Sequence, residues 1–252
     1  MFPEVPARVD NRFYKCQGRI RLQTDGRSVK RNARLLLISH TLTVVATTAA
    51  QSSNYEKFQT GNPVVRRLID RFYARLLARV EPLEADSLLD AGCGEGETLA
   101  RLGAGLPLRT VAVDLSPEAV EFTAQRFPQV EVSRESVLDL PFADGEFELV
   151  LCLEVLEHIE GPEAALAELG RVTSEHLVIS VPDEPWFRAG SLLRGKYLRG
   201  LGNHPEHVNH WNPRTLRAFL ETRLEVVSLT RSFPWLIAHC RQPEPAESPT
   251  RH

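Results

Sequence analysis

Apolar positions fall along the chain in two alternating rhythms. Between residues 64 and 80 the sequence VVRRLIDRFYARLLARV places Val65, Leu68, Ile69, Phe72, Leu76 and Val80 at helical spacing, with arginines between them. That spacing predicts an amphipathic helix. Asn62-Pro63 supplies its start signal and Pro82 its end. Beyond it, short apolar runs alternate with helical stretches. The runs are Ser87–Asp90, Thr110–Asp114, Val130–Val132, Glu148–Leu153 and Leu177–Val181. The helical stretches include Glu97–Leu102, Pro117–Arg126 and Pro162–Val172, and Pro213–Thr222 adds another. Such alternation predicts a mostly parallel sheet with helices on both faces. Two more runs, Leu224–Thr230 and Trp235–Cys240, stand only a few residues apart. A parallel pair needs a long crossover, so these two are expected to form a C-terminal antiparallel hairpin. The expected fold is α/β, with seven strands.

The same pattern sets the domain boundaries. Residues 1–53 lack clear periodicity and read as a poorly ordered N-terminal extension, 54–241 as the folded domain, and 242–252, rich in Pro, Glu and Ser, as a disordered tail. Within the extension, Leu35–Ala50 is apolar and follows Lys30, Arg31 and Arg34. The stretch is shorter than the roughly 20 residues that cross a bilayer. A signal peptide would begin at the N-terminus, whereas 34 residues come first here. The chain has 252 residues, 42% of them hydrophobic and 25% charged, enough for one sizeable core. A net charge of −3 provides no global basic field and disfavours nucleic acid as a partner. Cys16, Cys93, Cys152 and Cys240 are scattered, which argues against a disulfide framework or a zinc-thiolate site and fits a reducing cytoplasm.

The first strand leads into the candidate chemistry. Leu88–Gly96 reads LLDAGCGEG, an apolar run ending in Asp90 and then glycines at 92, 94 and 96. Glycine reaches positive φ and leaves no Cβ to hold a ligand off the backbone. The spacing is G-x-G-x-G, so the dinucleotide fingerprint does not match. The second strand, Val111-Ala112-Val113, also ends in a carboxylate, Asp114. An acid at that place can accept hydrogen bonds from both ribose hydroxyls of a nucleoside. Its competing role, capping the next helix, is better filled by Ser116.

DAGCGEG followed by VAVDLS resembles the first two motifs of class I S-adenosylmethionine-dependent methyltransferases. Ser136–Phe142 (SVLDLPF) before Asp144–Val150 (DGEFELV) is similar to the family's third region. Ser136 stands where family members often carry an Asp that contacts the adenine amino group; a serine oxygen also accepts a hydrogen bond. The resemblance covers Tyr55 to Cys240. It implies a Rossmann-like fold, S-adenosyl-L-methionine as cofactor and methyl transfer. It further implies that Asp90, Gly92 and the Gly94 loop lie against the methionine end and that Asp114 holds the ribose. Leu115 would flank the adenine, Ser136 and Val137 would meet its edge, and Leu153 would line the pocket near the sulfonium. The sulfonium is already activated, so the protein's main task is alignment.

After the fourth strand, Glu154–His158 reads EVLEH, and Asn203–Trp211 reads NHPEHVNHW with His204, His207 and His210. On a helix, Glu154, Glu157 and His158 would share one face. Three readings stand. The segment caps and packs; or His158 or His207, with Glu154, supplies acid–base catalysis; or Glu154, Glu157, His158 and His207 bind a divalent metal (Mg, Mn or Zn) that lowers the pKa of a bound hydroxyl. E-x-x-E-H with a later H-x-x-x-W is similar to small-RNA 3′-terminal 2′-O-methyltransferases, and E-x-L-E-H to ubiquinone-pathway O-methyltransferases. His207 and Trp211 match the second element.

Residues 185–211 form an insert that reads as a lid. Its stretch 186–199 mixes Arg188, Arg194, Lys196 and Arg199 with aromatic and aliphatic residues and no acid, which suits peripheral contact with an anionic membrane. The leading functional reading is a cytoplasmic O-methyltransferase acting on a small or lipid-linked acceptor, such as a quinone precursor, phenol or glycan hydroxyl. The alternatives are a metal-dependent RNA ribose 2′-O-methyltransferase and a cofactor-binding protein without turnover.

Overall fold

The computed structural model describes residues 62–184, 186 and 207–243. The expectations for the extension 1–53, for most of the insert and for the tail from 244 fall outside them. Among the described residues, helices α1 (Pro63–Val80), α2 (Glu97–Leu102), α3 (Pro117–Arg126), α4 (Pro162–Val172) and α5 (Pro213–Leu220) accompany seven strands. These are β1 (Ser87–Ala91), β2 (Arg109–Asp114), β3 (Glu131–Arg134), β4 (Phe147–Leu153), β5 (Thr173–Pro182), β6 (Glu225–Ser232) and β7 (Trp235–Arg241).

The strands form one sheet in the order β3-β2-β1-β4-β5-β7-β6. The first five are parallel; β7 runs antiparallel to both β5 and β6. The expected Rossmann-like mixed sheet with its terminal hairpin is therefore what forms. After β1 the chain builds outward through β2 and β3, then returns to place β4 on the other side of β1. That reversal makes the β1/β4 boundary the switch point, where a doubly wound sheet opens a crevice for a ligand.

Strand alternation assigns each side chain to a helix layer. Leu88, Leu149, Leu151, Val178 and Ile237 face the layer of α1, where Ile69, Phe72, Leu76 and Val80 are buried. Their neighbours Leu89, Val150, Cys152, Leu177 and Ile179 face the opposite layer, with Leu166 and Leu169 of α4 and Leu216 and Leu220 of α5. Both faces are covered, which is why these strands read as near-continuous apolar runs.

Arg171, at the end of α4, organises the connection from β3 to β4. It donates to the carbonyls of Leu140 (2.9 Å) and Phe142 (2.7 Å) and pairs with Asp144 (3.0 Å) and Glu168 (2.8 Å). Arg171→Ala is expected to lower stability, because two carbonyls and two carboxylates lose their shared donor. A urea unfolding curve with an unchanged midpoint would contradict this.

Candidate functional site

The loop after β1 is bound at both ends. The amides of Gly92 and Cys93 donate to the Val113 carbonyl at 2.8 and 2.9 Å. The Gly94 amide donates to Asp114 Oδ2 at 2.9 Å, and its carbonyl accepts from Thr123 Oγ1 at 2.7 Å. Gly92, Gly94 and Gly96 all have positive φ. A Cβ at Gly92 would run into Val155 Cγ2, so glycine there also serves the packing of this loop on the segment after β4. A Cβ at Gly94 would meet nothing within 4 Å, so the loop backbone is open on that side.

Asp90 sits in β1 between Ala112 of β2 and Leu151 of β4, at the switch point. It is buried, and its Oδ2 has no hydrogen-bond partner among the described residues. Burial, and secondarily the charge of Asp114, pushes its pKa up to about 7. Asp114 closes β2 with both oxygens occupied, Oδ1 accepting from the Ser116 amide at 2.9 Å and Oδ2 from Gly94. A carboxylate has about four acceptor positions, so room for ribose hydroxyls remains. Ser116 caps α3, as the sequence indicated. Leu115 is exposed beside Asp114, and its carbonyl is held by Arg134 Nε at 2.9 Å. Ser136 Oγ accepts from the Leu138 amide at 3.2 Å, Val137 packs on the main core, and Leu153 ends β4 against the α1 layer.

EVLEH is not an α-helix. Glu154 has φ +60°, and only Leu156–His158 form a turn, of the 3-10 type. The single helical face expected for Glu154, Glu157 and His158 therefore does not exist. Glu154 accepts from Ser180 Oγ of β5 at 2.9 Å and is not part of the group of donors that converge. Glu157, His158 and His207 do converge, with one donor atom from each lying within 4.8 Å of the others. The His158 and His207 rings lie 4.9 Å apart at 74°. Glu157 and His207 are buried, while His158 is exposed.

Trp211 explains how His207 reaches this place. Its side chain is buried in the core, against Phe219 at 4.6 Å, and its carbonyl accepts from the Glu184 amide at 2.7 Å. The irregular segment leading to it is fastened to the 3-10 turn. Val208 and Asn209 donate their amides to the Glu157 carbonyl, and Asn209 Nδ2 donates to the carbonyls of Leu156 and Ile159. Four residues before its anchor, His207 falls on Glu157. His204 lies outside the described residues.

Asp183 was not singled out by the sequence, although its signal matches that of Asp90 and Asp114: an apolar run, ISVP, ending in a carboxylate. It is buried at the carboxyl end of β5, bound through Oδ2 to Arg231 at 2.9 Å, with Oδ1 unpartnered among the described residues. Burial raises its pKa despite the arginine.

A switch-point crevice with an open glycine loop after β1 and a carboxylate closing β2 defines a nucleoside-binding α/β enzyme domain. The methyltransferase domain family matches residues 89–177. A ubiquinone biosynthesis O-methyltransferase of Xanthomonas axonopodis is 33% identical over 176 residues, covering 63% of this chain and 71% of that protein. A probable S-adenosylmethionine-dependent methyltransferase of Mycobacterium tuberculosis is 34% identical over 150 residues, 59% of this chain; the match spans only 50% of that relative's length. The magnesium protoporphyrin IX methyltransferase of Synechocystis, solved with bound SAH, has the same fold, with TM-score 0.58 at 17% identity over 77% of this chain and 96% of that one. The chain belongs to the class I S-adenosylmethionine-dependent methyltransferases.

The residues fit that cofactor. Asp90 offers a buried carboxylate oxygen, unpartnered among the described residues and suited to an ammonium group, and Gly94 leaves the loop open to close approach. Asp114→Ala is expected to weaken S-adenosylmethionine binding by about 1–3 kcal/mol; calorimetry giving equal affinities would remove Asp114 from the site. A pH effect is expected from Asp90. Only an ionised carboxylate can pair with an ammonium, so a cofactor seated there would lower the Asp90 pKa. Affinity should be flat above pH about 7 and fall as the pH drops below it, as the free protein protonates. Asp90→Asn should bind more weakly and lose that slope; a wild-type affinity constant from pH 8 down to about 5.5 would refute the pairing.

Proposed function

We propose that the protein transfers a methyl group from S-adenosylmethionine to a hydroxyl of a small or lipid-linked acceptor, such as a quinone precursor, phenol or glycan. We further propose that Glu157, His158 and His207 hold a divalent cation beside that acceptor. The convergence of these three side chains, just past β4 and next to the switch point, is the observation that carries the reading. In it, Asp90 and the loop of Gly92 and Gly94 receive the methionine end and Asp114 receives the ribose. The exposed Leu115 lies along the adenine face, Ser136 and Val137 meet its edge, and Leu153 lines the pocket near the sulfonium.

One carboxylate and two imidazoles suit Zn or Mn better than Mg, which prefers oxygen ligands. Such a cation, when bound, lowers the pKa of an acceptor hydroxyl. The buried Glu157 contributes charge without needing to move, and the turn fastened by Asn209 fixes the His158–His207 geometry. Glu154, held by Ser180, is a positioning residue in this scheme and not a ligand. The same reading makes the protein cytoplasmic and peripheral at the membrane, with 186–199 as one contact. Among the described residues no helix is long and apolar enough to cross a bilayer.

The pairing of a Trp-anchored His207 with Glu157 also favours a second reading, ribose 2′-O-methylation of RNA. A screen with labelled cofactor over quinol, glycolipid and RNA acceptors, with and without chelator, separates the two. Glu157→Ala is expected to abolish bound metal and activity together, and chelator should reproduce it. Activity that resists chelator, with a pH–rate profile flattened near neutrality by His158→Ala or His207→Ala, would replace the metal with a general base. A Glu157→Ala protein that is less stable yet fully active when folded would leave EVLEH a structural role only.

A further inference from the structure

Helix α1 carries arginines at 66, 67, 71, 75 and 79 against a single acid, Asp70. That acid is engaged by Arg101 of α2 at 3.0 Å. Positions 67, 71, 75 and 79 recur every fourth residue, so they form one ridge along the helix, with about 6 Å of rise between successive members.

The two C-terminal members of the ridge are tied to β6. Arg79 donates to Ser228 Oγ and, at 2.7 Å, to Thr230 Oγ1; Arg75 donates to the Arg231 carbonyl. These bonds fix the direction of the ridge. Moving N-terminally along α1 follows β6 toward its carboxyl end. Strands β5 and β6 both run antiparallel to β7, so β6 ends at the same edge of the sheet as β5. That is the edge where Asp90, Asp114, Glu157 and Asp183 lie. Arg71 and Arg67, both exposed, continue the ridge in that direction.

At the tip of the β6–β7 hairpin, two aromatic side chains stand in solvent. Phe233 is 46% exposed and Trp186 51%, and their rings lie 6.4 Å apart. Arg231, with 60% of its side chain exposed, stands between this pair and the Arg75 contact. Cations and exposed aromatics thus share one rim of the candidate site in a chain whose net charge is −3. The local charge is not a reflection of general basicity.

We infer that this rim, built from Arg67, Arg71 and Arg231 with Trp186 and Phe233, docks the protein on an anionic lipid surface, with the mouth of the site facing the bilayer. Guanidinium groups pair with lipid phosphates in bidentate fashion. Tryptophan settles at headgroup level, and phenylalanine adds apolar area just below it. Alternating cations and aromatics would also suit a single-stranded nucleic acid, but Trp186 and Phe233 meet edge to face at 62°, an apolar wedge suited to a headgroup layer and not a parallel platform for stacked bases. The inference deepens the reading of a lipid-linked acceptor and rests on it for its purpose; its test needs no acceptor and no turnover.

The experiment is co-sedimentation of the full chain with mixed phosphatidylcholine–phosphatidylglycerol vesicles and with phosphatidylcholine alone. The wild type should bind only the anionic vesicles and be released by high salt. Arg67→Ser/Arg71→Ser should weaken binding by roughly tenfold or more, with thermal melting and cofactor affinity unchanged. Trp186→Ser should weaken it further. Arg194→Ser/Lys196→Ser/Arg199→Ser, in the insert, should weaken binding less than Arg67→Ser/Arg71→Ser does. The inference is overturned if the wild type ignores anionic vesicles, or if it binds a single-stranded RNA oligonucleotide and no vesicle. It is equally overturned if the insert variant loses binding while Arg67→Ser/Arg71→Ser behaves as wild type. Failure of every acceptor in the methyl-transfer screen would bear on the proposed activity and leave the vesicle result standing.

Discussion

The hydrogen bond from the Gly94 amide to the Asp114 carboxylate ties the first strand's loop to the end of the second. Nearly everything at the carboxyl edge depends on it. With Gly94 fixed, the loop backbone stays at positive φ and open outward; with Asp114 fixed, the turn to α3 begins at Ser116. The loop has little freedom on its other sides. Val155 fills the space beside Gly92, and Thr123 and Phe127 fill that beside Gly96. A glycine loop is often described as flexible. This one is compressed between neighbours, and glycine is what allows the compression.

The edge also concentrates carboxylates that the fold would be easier to build without. Asp90 and Asp183 both end apolar strand runs, both are buried, and burial raises both pKa values. Each keeps one oxygen unpartnered among the described residues. Unpaired buried polar atoms cost stability, and strands end in carboxylates here at the points where a ligand would meet the sheet. Such local conflict between folding and chemistry is characteristic of functional sites.

Much of this was legible in the chain. The runs at β1, β2 and β4 lie wholly inside the sheet, so their apolar character was unambiguous, and Pro63, Pro117, Pro162 and Pro213 marked the starts of four helices. Proximity alone fixed the direction of β6 against β7. EVLEH misled because five residues are too few to show a helical period, and its real conformation depends on a left-handed Glu154 held by Ser180, 26 residues away. The crowding of Gly92 by Val155 is likewise a contact between distant segments, invisible to spacing. His207 was readable only through the H-x-x-x-W spacing of a family resemblance; that a buried Trp211 anchors the segment before it is visible only in the fold. Asp183 went unread although its pattern repeats that of Asp114, because the proline between apolar run and acid disguised the strand end.

One feature of the topology bears on the order of assembly. Strand β6 joins the sheet only through β7, which pairs with β5 on its other side. During synthesis β5, paired with β4 on one side, must wait with its other edge unpaired until residues Trp235–Arg241 leave the ribosome. Until then the nascent domain exposes the edge of a ten-residue strand whose carboxyl-terminal part, Leu177–Pro182, is mostly apolar, the kind of edge that recruits other chains. The sheet closes by insertion of its penultimate strand, not by growth at a rim. A stop codon before β7 would therefore strand β6 as well, and leave an aggregation-prone fragment in place of a shortened enzyme.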